Sequence, residues 1–278
     1  MSLSPSIVRA GSPCLLLAVV AAVLLAGCAN TGGRPSPNAI AGTEQVIPTA
    51  SDEGQARKRA RLRLELAMGY FEHGQTTVAL DEVKQALVID PSYGDAYNLR
   101  GLVYMRLDDP GLAEDSFRRA IAANARDGNA MHNYGWLLCQ QKRYGDALKQ
   151  FQAAMDAPGY TDQAKTLMTM GVCEIQAGRP TEAERYLARA YEMDAGNPVI
   201  GYNLALILSQ RGEWTRAQFY IRRINNSQAA SAESLWLGVK IERQLNNNEA
   251  AGQLGGQLVQ RFPQSREALA YERGNFND

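Results

Sequence analysis

The chain has 278 residues, 45% apolar and 21% charged, with 29 Lys and Arg set against 29 Asp and Glu. This is ordinary globular usage, so collagen-like, disordered and polytopic membrane classes are excluded, and the even charge removes the positive field that nucleic-acid binding needs. Two histidines, His73 and His132, and four cysteines without Cys-x-x-Cys spacing supply no metal-ligand pattern, so no metal is expected.

The first element is an uninterrupted apolar run from Cys14 to Ala26, preceded by Arg9, which has the layout of a secretory signal peptide. It is shorter than the roughly 20 apolar residues of a membrane span. The junction Leu25-Ala26-Gly27-Cys28 resembles a bacterial lipoprotein signal. That resemblance implies removal of residues 1–27, a covalent lipid on Cys28 as the sole prosthetic group and, with Ala29 rather than Asp next, an outer-membrane address facing the periplasm. Residues 28–55 are rich in Gly, Pro, Ser, Thr and Asn without apolar periodicity, the composition of a flexible linker. Its root-mean-square reach is roughly 30 Å.

From residue 56 to 263 a small residue is followed twelve positions later by Ala, six times: Ala67/Ala79, Gly101/Ala113, Gly135/Ala147, Gly171/Ala183, Ala205/Ala217 and Gly238/Ala250. The first members are spaced 34, 34, 36, 34 and 33 residues apart, and Val83, Phe117, Phe151, Leu187, Ile221 and Leu254 keep the same phase. Two antiparallel helices approach closely only where both present small residues, so each unit predicts a helical hairpin, with bulky residues filling the space between hairpins. Gly74, Gly178 and Gly212 mark turns inside hairpins; Asp90-Pro91, Asn197-Pro198 and Phe262-Pro263 mark turns between them. The expected fold is all-α, a superhelical solenoid of about six hairpins. A two-residue insertion around Pro158-Gly159-Tyr160 predicts an irregularity between the third and fourth units, and residues 264–278 read as a capping helix and tail.

These units resemble the tetratricopeptide repeat, as Leu66-Ala67-x-x-Tyr70, Ala79, Ala86 and Pro91 and then Gly101-x-x-Tyr104, Ala113, Phe117 and Ala120 show. The resemblance places partner-facing residues on a stripe of each first helix: Leu64, Met68 and Phe71; Asn98, Leu102 and Met105; His132, Trp136 and Cys139; Met168, Val172 and Ile175; then Tyr202 and Leu206. Such an apolar, Met-rich stripe suits a peptide groove, and core packing is the rival reading. Arg57, Lys58, Arg59, Arg61 and Arg63 form a basic run, read either as a solvated face or as a dock for acidic lipid or protein. Cys139 and Cys173, on successive first helices, are expected to form a disulfide, with two buried thiols as the alternative. No Gly-x-Ser-x-Gly, phosphate-binding loop or His-Glu-x-x-His is present, and the carboxylates are expected on solvated faces, so neither an enzyme nor a small-molecule substrate is indicated.

Asn133-Tyr134-Gly135-Trp136-Leu137-Leu138-Cys139, Gly171-Val172-Cys173, Ser234-Leu235-Trp236-Leu237-Gly238 and Arg261-Phe262-Pro263-Gln264-Ser265 resemble the type IV pilus biogenesis lipoproteins of the PilF/PilW kind. That resemblance implies a pilotin, which carries the pilus secretin to the outer membrane and promotes its multimerisation. It places the secretin on the first repeats. A lipid-anchored adaptor for another periplasmic client, in barrel assembly or cell-wall synthesis, stays open at this point.

Overall fold

A computed structural model describes residues 50–276, and the expectations for the signal peptide, Cys28 and most of the linker lie outside them. Thirteen helices and no strand occur among the described residues. They pair in order as α1 (Ala50–Glu72) with α2 (Thr76–Ile89), α3 (Gly94–Arg106) with α4 (Pro110–Ala123), and α5 (Gly128–Gln140) with α6 (Tyr144–Asp156). The second half continues with α7 (Gln163–Gln176) and α8 (Pro180–Met193), α9 (Pro198–Gln210) and α10 (Trp214–Asn225), and α11 (Ala232–Gln244) and α12 (Asn248–Arg261). The short α13 (Arg266–Glu272) packs on both α11 and α12. Helix α1 takes in residues 50–55 of the segment expected as linker, and no proline between Pro48 and Pro91 interrupts it.

Each hairpin turns at the same point through a left-handed residue. Glycine takes it at Gly74, Gly178 and Gly212, whereas Asp108, Lys142 and Asn246 adopt it with φ near +60° at the other three. Three of these turns were therefore invisible to a search for glycine.

The bulky residues reach the next hairpin as expected, the Phe117 ring centroid lying 6.4 Å from that of Tyr134, and they have a second role inside their own hairpin. A Cβ on Gly101 would lie 2.5 Å from the Phe117 ring, one on Gly135 2.7 Å from Phe151, and one on Gly171 2.5 Å from Leu187. The large side chain sixteen positions on thus sits directly over the glycine of its own hairpin, and the Ala four residues before it is fully buried alongside. Burial runs the length of the stack as four successive clusters, as expected where each unit contacts only its neighbours.

The insertion between α6 and α7 has a packing role. Tyr160 folds onto the start of α5, where a Cβ on Gly128 would meet its ring at 2.5 Å. Its hydroxyl shares a 2.6 Å hydrogen bond with Thr166 Oγ1, which in turn bonds His132 Nδ1 at 2.8 Å. A similar close approach holds the cap: Tyr271 of α13 lies over Gly255 of α12, 1.9 Å from where a Cβ would stand.

Candidate peptide-binding groove

The stripe on the first helices is apolar but shallow. Leu64 is only 5% exposed and belongs to the core formed with Tyr93, Leu99 and Val103, so it does not line a groove; Ala60, Leu64 and Ala67 make one buried face of α1 against α2 and α3. Met68, one turn further, is 47% exposed. Phe71 is half-buried because the Arg106 guanidinium of α3 lies 3.6 Å over its ring and also donates to its carbonyl. Asn98 is half-buried and accepts a 3.0 Å hydrogen bond from Asn133 Nδ2 on the next first helix. Leu102, Met105 and Trp136 pack partly against the central core and leave only an edge open. Met168 and Ile175 do the same.

His132 and Cys139 leave the stripe altogether. His132 is buried against Phe151, with ring centroids 5.6 Å apart, and desolvation lowers its pKa to about 4, aided by the nearby Lys165 charge. Cys139 of α5 is joined to Cys173 of α7 in a disulfide, with Cα atoms 5.9 Å apart. The bridge spans the insertion and ties the third and fourth hairpins.

The basic run divides into pinned and free residues. Arg57 pairs with Asp90, donates to Ser92 Oγ at 3.1 Å and lies 4.5 Å over the Tyr93 ring. Arg63 pairs with Glu82 at 2.9 Å and Arg61 with Glu65 at 3.8 Å. The Arg57 and Arg63 pairs fasten α1 to α2 and the turn after it, the Arg61 pair lies within α1 itself, and Lys58 and Arg59 are the exposed remainder.

Two carboxylates depart from the expected solvated faces. Glu174 and Glu242 are each 1% exposed at the side chain. Arg179 grips Glu174 with two nitrogens, one at 3.0 Å, across the α7–α8 turn. Glu242 receives Arg222 at 2.7 and 3.0 Å, Gln218 at 2.8 Å and Asn247 at 2.9 Å. Buried charges persist only when paired and hydrogen-bonded in this way, and here the pairs tie each helix to its turn or to its neighbour. The Glu174–Arg179 spacing across a turn was the one signal that sequence offered for them. Among the described residues no group of His, Cys, Asp and Glu is placed to hold a metal, and no helix is long and apolar enough to cross a membrane.

Stacked hairpins closed by small-on-bulky contacts define a tetratricopeptide-repeat protein, a class of typically non-enzymatic scaffolds for protein interaction. Tetratricopeptide-repeat family models match residues 64–128, 99–160 and 174–236, together more than half of the chain. The type IV pilus assembly protein PilF of Pseudomonas aeruginosa is 27% identical over 256 residues, covering 92% of this chain and 96% of that one. The solved structure of P. aeruginosa PilF superposes with a TM-score of 0.70 at 26% identity, over 80% of this chain and 98% of that one. PilW, described as a widely conserved type IV pilus biogenesis factor, gives 0.69 at 28% identity, over 76% and 97%. The chain belongs to the PilF/PilW type of tetratricopeptide-repeat protein.

Proposed function

We propose that this protein is an outer-membrane lipoprotein pilotin of a type IV pilus system. Its similarity to PilF along nearly the whole of both chains carries the reading. In it, lipid on Cys28 holds the protein at the outer membrane, periplasm-facing, and the linker lets the repeats reach a client. The client is the pilus secretin subunit, which engages the open part of the stripe around Met68 and the edges of Phe71, Leu102, Met105 and Trp136. Adaptable Met beside rigid aromatics suits an apolar segment of such a partner. Binding brings secretin subunits together at the correct membrane and promotes their multimerisation. No step requires a cofactor or a small-molecule substrate.

The test is an immunoblot of heat-resistant secretin multimers, and of this protein itself, in separated inner and outer membranes, comparing wild type with a strain lacking the gene. The expected result is this protein in the outer membrane, and multimers lost or stranded in the inner membrane when it is absent. Normal outer-membrane multimers in the deletion strain overturn the reading and assign the protein to another client.

A further inference from the structure

A second recess lies at the far end of the same stripe. A cavity of about 340 Å³ opens between the start of α9, the end of α10 and the start of α11. Val199 and Tyr202 of α9, Ile224 of α10 and Ala229 of the connecting loop give it apolar walls, and Val199 is 46% exposed at its edge. Tyr202 occupies the repeat position held by Leu64, Asn98 and His132 earlier in the chain, and in this repeat the position opens onto a recess instead of closing into the core. Glu233 is the one charged side chain among its described lining residues. Hydrogen bonds from Ser231 and from its own backbone hold the Glu233 carboxyl below the usual range, so it is ionised at neutral pH. Burial raises the Tyr202 pKa, and the negative charges of Glu233 and Glu267 act in the same direction.

An apolar recess with an aromatic wall and one carboxylate selects its occupant by chemistry. An anion is repelled by Glu233, and a purely aliphatic side chain gains nothing from its charge. A lysine or arginine satisfies both features, because its methylene stem packs on apolar surface while its charged head reaches the carboxylate and the edge of the ring. We infer that this cavity takes a basic side chain of an extended partner segment, with the stem on Val199, Tyr202 and Ile224 and the charge at Glu233. It is a docking point separate from the Met68 end and does not depend on the secretin being the client.

Fluorescence anisotropy with full-length protein in detergent provides the test. The probes are labelled peptides of the form acetyl-Gly-Leu-Lys-Leu-Lys-Leu-Gly-amide and the same peptide with both Lys replaced by Glu. The Lys peptide is expected to bind about tenfold more tightly than the Glu peptide, and Glu233→Gln is expected to remove most of that preference. Tyr202→Ala should weaken the Lys peptide as well, with an unchanged circular dichroism spectrum. Equal affinity for the two peptides, or a Lys preference that survives Glu233→Gln, overturns the inference.

Discussion

Two side chains show how tightly single residues are specified. Phe117 is fully buried over Gly101, and the ring stands where a methyl group would have to go. Gly101→Ala is therefore expected to cost about 1–3 kcal/mol through overpacking, and adding Phe117→Leu should recover part of it. Urea unfolding followed by circular dichroism measures both, and a Gly101→Ala midpoint equal to wild type would show that the ring can move aside. His132 makes a pH-dependent contribution. Its pKa is lowered from 6.5 to about 4 by burial, so the folded protein holds the ring neutral where the unfolded chain protonates it. Above pH 6.5 both states carry the neutral ring and stability is full. As pH falls toward 4 the unfolded state takes up a proton that the folded state refuses, and about 3 kcal/mol is lost. Denaturation between pH 7 and 4 should show this loss in wild type, and a flatter profile in His132→Gln. Parallel profiles would assign the acid sensitivity to other groups.

At the scale of elements, the twelve-residue spacing of small residues was sufficient to read all six hairpins. It works because close helix approach imposes a local constraint that each unit repeats. What it missed depends on contacts between units or on loops. Leu64 looked like groove because stripe offsets describe one helix, yet its exposure is set by Tyr93 and Leu99 arriving from α3. Tyr160 gave no periodic signal, since it acts from a loop, and Glu242 needed Arg222 from another helix to reveal its burial. The disulfide belongs to this scale as well. It closes a sequence separation of 34 residues and encloses the insertion. On the chain-entropy account such a loop contributes about 3–4 kcal/mol. Cys139→Ser with Cys173→Ser should lose about that much and make the segment between α6 and α7 the first site of protease nicking. Intact mass of unreduced protein checks the bridge directly: a two-proton deficit is expected, and its absence would remove this contribution.

For the whole molecule, the decisive question is which side of the solenoid meets the partner, and α1 allows the two answers to be separated. Met68 lies at the open end of the stripe, whereas Leu62, 63% exposed, is six residues earlier on the same helix and about 120° around its axis. Both are apolar and solvent-accessible, so an aspartate at either position leaves the core intact. Leu64→Asp, by contrast, would put an unpaired charge into the first core cluster and unfold the hairpin, which makes it a poor probe of binding. Truncating or charging a central contact residue in an interface commonly costs more than 1 kcal/mol, whereas a residue outside the interface changes little. Met68→Asp is therefore expected to reduce heat-resistant secretin multimers about tenfold with unchanged helicity and melting temperature. Leu62→Asp should leave multimers near the wild-type amount. The reverse pattern would move the partner from the stripe to the end face of the stack, and two silent variants would require the client to bind elsewhere along the repeats.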